Sequence, residues 1–162
     1  MAKASRGLLG YCGHAAAAGL ALGFVLLASH GAQAQDVPKV ELRPGVFFEV
    51  VELKRVRKDI SGLTFEIDNT SPDTVTLAQL GISDNERRVT DLKLIDFDNG
   101  KDYWIGDSGG ACLCTTFQDG GPVEPGQKRR FWAWFGAPPA GVDKVAVFVP
   151  GSPPIFDVPL AK

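Results

Sequence analysis

The chain has 162 residues, of which 44% are hydrophobic and 22% charged. Lys3 and Arg6 are the only charged side chains before residue 35, so residues 35–162 carry 15 of the 17 basic and all 19 acidic side chains. That stretch holds every proline and two cysteines, but neither histidine nor methionine. It therefore excludes histidine-based catalysis, and its negative charge disfavours a nucleic-acid surface.

The first 34 residues have the pattern of an export signal. Lys3 and Arg6 precede an apolar run at residues 15–28, and Ala32-Gln33-Ala34 supplies a small-x-small cleavage site. The run is shorter than the roughly 20 residues of a membrane span, which disfavours the alternative of an uncleaved anchor helix. We predict a signal peptide cleaved after Ala34 and a secreted or periplasmic protein that does not span the membrane.

After cleavage we expect a flexible arm at residues 35–45 and one all-β domain at residues 46–162. Proline and glycine separate short runs rich in Val, Ile, Thr and Phe, and no long helix is predicted. The predicted strands lie near residues 46–56, 62–69, 74–80, 89–97, 101–105, 112–117, 127–135, 142–149 and 155–160.

The alternation within these runs predicts antiparallel pairing. Leu63, Phe65 and Ile67 alternate with polar residues, so one face is buried and the other is wet. Asn99-Gly100 favours a hairpin with a two-residue turn. We predict an immunoglobulin-like antiparallel β-sandwich of 7–9 strands, with a jelly roll or a small barrel as alternatives.

The stretch Gly106-Asp107-Ser108-Gly109-Gly110 matches the nucleophile signature of chymotrypsin-like serine peptidases. A serine nucleophile needs a base and an acid that orients it. His14 and His30 are the only histidines, and both belong to the predicted signal. We therefore predict a glycine-rich turn and no enzymatic activity.

The acidic residues around the turn between the fourth and fifth predicted strands suggest a calcium loop. Asp96, Asp98, Asn99 and Asp102 are oxygen donors, but Gly100 comes one residue too early for an EF-hand. We predict a hairpin with solvated acids and no metal or other cofactor, with a weak surface calcium site as the alternative.

Cys112 and Cys114 are the only cysteines after the predicted signal. Residues i and i+2 of an extended strand lie about 6.6 Å apart, near the upper limit for a disulfide. A local disulfide, our preferred interpretation, therefore requires a bulge or a turn. A soft-metal site for Cu(I) and an intermolecular bridge are the alternatives, although copper sites usually add Met or His.

Aromatic residues form the main candidate for a binding surface. If Phe131, Ala133 and Phe135 face the core, Trp132 and Trp134 emerge together on the opposite face. With Tyr103 and Trp104 they could offer a platform for a sugar ring or a patch for a partner. The alternative is that a loop, or the hairpin of residues 102–104, covers the two tryptophans.

Two basic clusters and a glycosylation sequon are weaker signals. The clusters, at residues 54–58 and 128–130, are expected to be solvated strand ends in this acidic domain. Asn69-Thr70-Ser71 matches the sequon, which matters only in a host that glycosylates there.

From Leu53 onward the chain resembles secreted bacterial β-sandwich modules of the immunoglobulin-like kind, which also occur fused to outer-membrane-protein-A-type domains. The matching segments are residues 63–70, 96–103, 112–114, 125–126, 133–139, 142–151 and 158–160. The resemblance implies an envelope protein and assigns no chemistry to particular residues.

Together these patterns predict a secreted or periplasmic, non-enzymatic interaction or binding protein of the cell envelope. Its partner would be another protein or an envelope component, and not a nucleic acid. The alternative function is thiol or copper handling in the periplasm through Cys112 and Cys114.

Overall fold

The computed structural model describes residues 38–85 and 87–162, so the predicted signal peptide lies outside the described residues. Every regular element among them is a β-strand, which confirms the all-β prediction. The twelve strands are β1 Lys39–Arg43, β2 Val46–Arg57, β3 Ile60–Asn69, β4 Val75–Thr76, β5 Lys93–Asp96, β6 Lys101–Trp104, β7 Asp107–Ser108, β8 Ala111–Cys112, β9 Pro122–Val123, β10 Gln127–Gly136, β11 Lys144–Phe148 and β12 Ile155–Pro159.

Two four-stranded antiparallel sheets make up most of the fold. The first sheet has the order β1-β2-β3-β10, and the second has the order β12-β11-β5-β6. Two short pairs, β4-β9 and β7-β8, lie outside them. Strands β2 and β3 form a hairpin, whereas the β3-β10 pairing joins strands that are distant in the sequence, with Phe131 of β10 opposite Phe65 of β3.

One buried cluster receives the inward-facing side chains of both four-stranded sheets. Along β3 buried and half-buried residues alternate without a break, as period-two hydrophobicity requires. The Phe65 ring is fully buried and stacks between Phe48 at 4.5 Å and Phe131 at 5.6 Å, measured between ring centroids. The inner face of the first sheet is therefore an aromatic layer.

Four predicted segments differ clearly from the structure, and one of them is the predicted strand at 112–117, of which only the end of β8 and isolated bridges at Cys114 and Thr116 remain. Residues 39–43, expected in a flexible arm, form β1 because Val40 and Leu42 pack against the core. The predicted strand at 74–80 shrinks to β4, and a turn follows in which the Leu80 N–H donates to the Leu77 carbonyl at 3.1 Å. The β5-β6 hairpin exists, but its loop has four residues, since Asp96 lies opposite Lys101.

Asn69 joins the end of β3 to the loop that follows it. Its side chain is fully buried, and its Nδ2 donates to the carbonyls of Asp73 and Val123, both at 2.8 Å. Its Oδ1 accepts from the N–H of Ser71 at 3.0 Å and from the Ser71 hydroxyl at 2.6 Å. The asparagine of the sequon therefore has a structural role, and its amide nitrogen donates two hydrogen bonds within the protein.

Candidate binding platform

Strand β10 carries the two tryptophans on the outer face of the first sheet. Phe131, Ala133 and Phe135 are buried, whereas Trp132 is 41% exposed and Trp134 is half-buried. The two indole rings contact each other, with centroids 5.8 Å apart and planes inclined by 54°. We call Trp132 and Trp134 the tryptophan platform.

Gly62 on β3 makes room for the platform. It lies opposite Trp134, and a Cβ placed on it would come within 3.2 Å of the Trp134 Cδ1 and Nε1 atoms. The same Cβ would approach the Val56 side chain at 2.9 Å, which is closer than real Cβ contacts allow. Without a side chain at this position, the indole lies directly over the β3 backbone.

The segment after β6 extends the first sheet beyond β10. The Gly106 N–H donates to the Trp134 carbonyl, and the Trp134 N–H donates to the Leu113 carbonyl, both at 2.8 Å. The Thr115 N–H donates to the Trp132 carbonyl, also at 2.8 Å. The backbone of both platform residues is therefore held on both sides, by β3 and by this segment.

Ser108 lies in a hairpin that projects from this extension. Strands β7 and β8 pair Asp107 with Cys112, and Gly109 and Gly110 form the turn with φ of 64° and 85°. Such angles favour glycine, and the Gly110 N–H also donates to the Asp107 carboxylate at 2.9 Å. Ser108 is exposed, and no described base accepts a hydrogen bond from its hydroxyl.

Cys112 and Cys114 lie at the base of that hairpin and are joined by a disulfide. Leu113 is a bend between them, and it shortens the Cα–Cα distance to 5.3 Å, which is within the usual range. Cys114 is 4% exposed and pairs with Ala133 of β10. This arrangement favours the local disulfide, and no group of three or more candidate metal ligands occurs within the described residues.

Tyr103 and Trp104 do not join the platform. Trp104 is 58% exposed on the second sheet, where the Lys93 ammonium lies 5.2 Å from its ring centroid. Tyr103 points toward the core; burial, followed by the nearby Asp96 carboxylate, raises the pKa of its hydroxyl. Of the four aromatic residues of the predicted surface, only Trp132 and Trp134 therefore lie together.

Ion pairs border the platform on the outer face of the first sheet. Arg130 pairs with Glu66 at 2.7 Å, and Lys54 pairs with Glu52 at 2.7 Å. Lys128 contacts Glu49 at 2.6 Å, and its hydrogen bonds to that carboxylate and then to Asp68 raise the pKa of its amine. Arg130 and Lys128 are thus paired with carboxylates on other strands of the first sheet, and Lys54 with a carboxylate on its own strand.

Two further residues of the basic clusters, Arg55 and Arg129, have other structural roles. Arg55 donates to the carbonyls of Pro138 and Pro139, both at 2.6 Å, and to that of Val142 at 3.1 Å. Arg129 binds Asp119, and this hydrogen bond is the main reason that the pKa of the Asp119 carboxyl is lowered. These side chains fasten loops to the sheet.

The acidic side chains at 96 and 102 form contacts within the β5-β6 hairpin. Asp96 is buried, and its carboxylate accepts from the backbone N–H of Asn99 at 3.1 Å and from its Nδ2 at 2.7 Å. Asp102 pairs with Lys93 at 2.6 Å on the outer face of the second sheet. These carboxylates therefore have partners within the protein, and Asp98 is exposed.

A second aromatic pair, between the residue after β5 and a residue of β12, was not predicted from the sequence. Phe97 and Phe156 are each 59% exposed and stack with ring centroids 5.6 Å apart beside a shallow cavity of about 270 Å³. Asp157, next to Phe156, has a φ of 55° and sits where the β11-β12 register shifts. This irregularity of β12 marks the place of the pair in the structure, but the period-two pattern by which strands are predicted from sequence does not show such an irregularity.

Comparison with known proteins finds no matching family model, no similar curated protein and no similar solved structure. Among the described residues, no helix has the length and apolar character needed to cross a membrane. The functional interpretation therefore rests on the residues and their geometry.

Proposed function

We propose that this protein is an exported, non-enzymatic, immunoglobulin-like β-sandwich that acts in the cell envelope as a binding module. The signal pattern supports export, and the shared core of two four-stranded antiparallel sheets supports the sandwich architecture. The resemblance to secreted bacterial modules supports the envelope location. The tryptophan platform is the proposed ligand site.

The exposed contact between Trp132 and Trp134 is the observation that carries this proposal. Leaving indole surface in water forgoes about 25 cal/mol for each Å² that could be buried. Here β3 and the segment around Leu113 flank the backbone of both residues, so both side chains are kept on the outer face, where the two rings contact each other. A rigid, solvent-facing aromatic pair suits a ligand that covers it on binding.

We propose a non-enzymatic role because residues 35–162 lack the elements of a hydrolytic site. They contain no histidine, and Ser108 projects on a hairpin without a hydrogen-bonded base among the described residues. A serine nucleophile without a base fails the geometric requirement for acyl transfer. An active-serine probe is expected to leave Ser108 unlabelled.

Replacement of Trp132 by alanine is expected to weaken binding to envelope fragments from the producing cells at least about tenfold, or 1.4 kcal/mol. The measurement is co-sedimentation of the exported protein with those fragments across a concentration series. Trp104→Ala is the matched control, because Trp104 is exposed on the other four-stranded sheet. Unchanged binding by the Trp132→Ala protein would contradict the proposed site.

The copper-handling form of the rival function requires reduced cysteines, whereas the thiol-handling form would cycle between the dithiol and the disulfide. The disulfide between Cys112 and Cys114 occupies both sulfur atoms. We expect no free thiol in the folded, unreduced protein and no stoichiometric Cu(I) binding, by thiol titration and elemental analysis. Two free thiols, or one copper per chain that Cys112→Ser removes, would favour the rival.

A further inference from the structure

We infer that the tryptophan platform binds an uncharged pyranose ring of an envelope glycan. This inference rests on the proposed function and names the chemical class of its ligand. It follows from the faces of the two rings, their free donors, the charge of the surrounding surface and the small size of the aromatic area.

The ring faces match the apolar side of a sugar. A pyranose ring presents C–H bonds on its faces and hydroxyls around its edge, so it can stack on an indole while its edge stays polar. Part of the Trp134 ring lies close to Gly62, and the 41% exposed Trp132 offers the larger surface to a ligand. Trp132, inclined to it by 54°, forms a second wall of the same surface.

The indole N–H of the exposed Trp132 is the candidate donor to a ligand. Neither Trp132 Nε1 nor Trp134 Nε1 has a hydrogen-bond partner among the described residues, although the backbone of each is fully paired. Thr64, directly opposite Trp132, adds a hydroxyl on the same face. A ligand with many hydroxyl groups can use these donors and acceptors together with the ring faces.

The charges around the platform favour a neutral ligand. Arg130 and Glu66 form one ion pair beside Trp132. Lys54 and Glu52 form another on β2, the strand on the other side of β3 from β10. An acidic polymer or an anionic lipid headgroup would need unpaired basic side chains, and both Arg130 and Lys54 already have a carboxylate partner. Sugar hydroxyls can instead bind to paired guanidinium and carboxylate groups without breaking the pairs.

The exposed aromatic area suits one ring better than a protein surface. Trp132 exposes 41% of its surface, on the order of 100 Å² for an aromatic side chain of this size. A stable protein interface covers about 800 Å² on each partner. The platform could contribute to such an interface but is too small to form its apolar centre.

The test measures binding of defined oligosaccharides to the exported protein by calorimetry. The probes are tetramers of glucose, of N-acetylglucosamine and of mannose, with an acidic tetragalacturonate, a proline-rich peptide and phosphatidylglycerol vesicles for comparison. We expect at least one neutral tetramer to bind with a Kd below about 1 mM. Trp132→Ala should weaken that binding at least tenfold, and Trp104→Ala should leave it within twofold.

Two further variants keep the test decisive if Trp132→Ala unfolds. Trp132→Phe retains a ring but removes the N–H, so it should bind with intermediate affinity. Gly62→Ala should also weaken binding, because its Cβ would press on Trp134. Tighter binding of the acidic probe, the peptide or the vesicles would overturn the inference, as would equal losses in the Trp132 and Trp104 variants.

The failure of this inference can be told apart from failure of the proposed function. If Trp132→Ala abolishes binding to envelope fragments but no neutral tetramer binds, the proposed binding function is supported and its ligand is not a neutral sugar. If Trp132→Ala changes neither measurement, the platform is not the site and both proposals fall.

Discussion

Replacing Phe65 by alanine is expected to lower the free energy of unfolding by about 4 kcal/mol, the largest effect of any single substitution proposed for this protein. Phe65 is fully buried and stacks on Phe48 and Phe131 at the centre of the first sheet. The substitution removes the ring's transfer free energy and leaves a cavity that three neighbouring strands cannot close. A domain of this size is stable by only about 5–15 kcal/mol, so much of its stability would be lost.

Urea unfolding monitored by tryptophan fluorescence measures this effect. Phe156→Ala is the matched control, because Phe156 is also stacked on another phenylalanine but is 59% exposed. We expect the control to cost less than about 1 kcal/mol. Similar losses in the two variants would contradict the assignment of Phe65 to the core and of Phe156 to the surface.

The sequence predicted strands β3 and β10 because apolar and polar residues alternate in part of each. Positions 63, 65 and 67 of β3 and positions 131, 133 and 135 of β10 are apolar and buried, so the chain alone indicates both the strand and its inward face. Residues 74–80 are also rich in apolar side chains, yet Leu77 and Leu80 lie in a turn, and their side chains are buried there. Apolar content there reflects burial, and burial alone does not distinguish a strand from a packed turn.

The tryptophan platform was only partly predictable for the same reason. Alternation within β10 places Trp132 and Trp134 on one face, and this needs no knowledge of other strands. The role of Gly62 depends on the register between β3 and β10, whose paired residues are more than 50 positions apart in the chain. The separation of Trp104 from the pair likewise depends on which sheet contains β6, and no local pattern encodes that.

Asn69→Asp is expected to lower the free energy of unfolding by roughly 3 kcal/mol at neutral pH. The side chain is fully buried, and its Nδ2 donates to the carbonyls of Asp73 and Val123. An ionised carboxylate of the same shape cannot donate either bond and would place a negative charge beside two carbonyl oxygens. The two Ser71 donors would offset only part of that cost.

The pH dependence of this variant distinguishes a lost donor from a general packing defect. Burial beside carbonyl oxygens should raise the pKa of the introduced carboxyl in the folded state. The folded state then binds more protons than the unfolded chain, so stability relative to the parent protein falls as pH rises between the two pKa values. The deficit should therefore shrink as pH is lowered toward about 4, the ordinary value for aspartate, because the protonated carboxyl can donate one of the two bonds.

Urea unfolding of both proteins between about pH 4 and pH 7 tests this expectation. Asn85→Asp provides the control, because Asn85 is exposed and the same chemical change there should cost no more than about 0.5 kcal/mol. A deficit that is the same at every pH would show that the two hydrogen bonds of Nδ2 are not what Asn69 contributes. A small deficit at all pH values would mean that water reaches this residue, and the end of β3 would then be less tightly closed than its hydrogen bonds indicate.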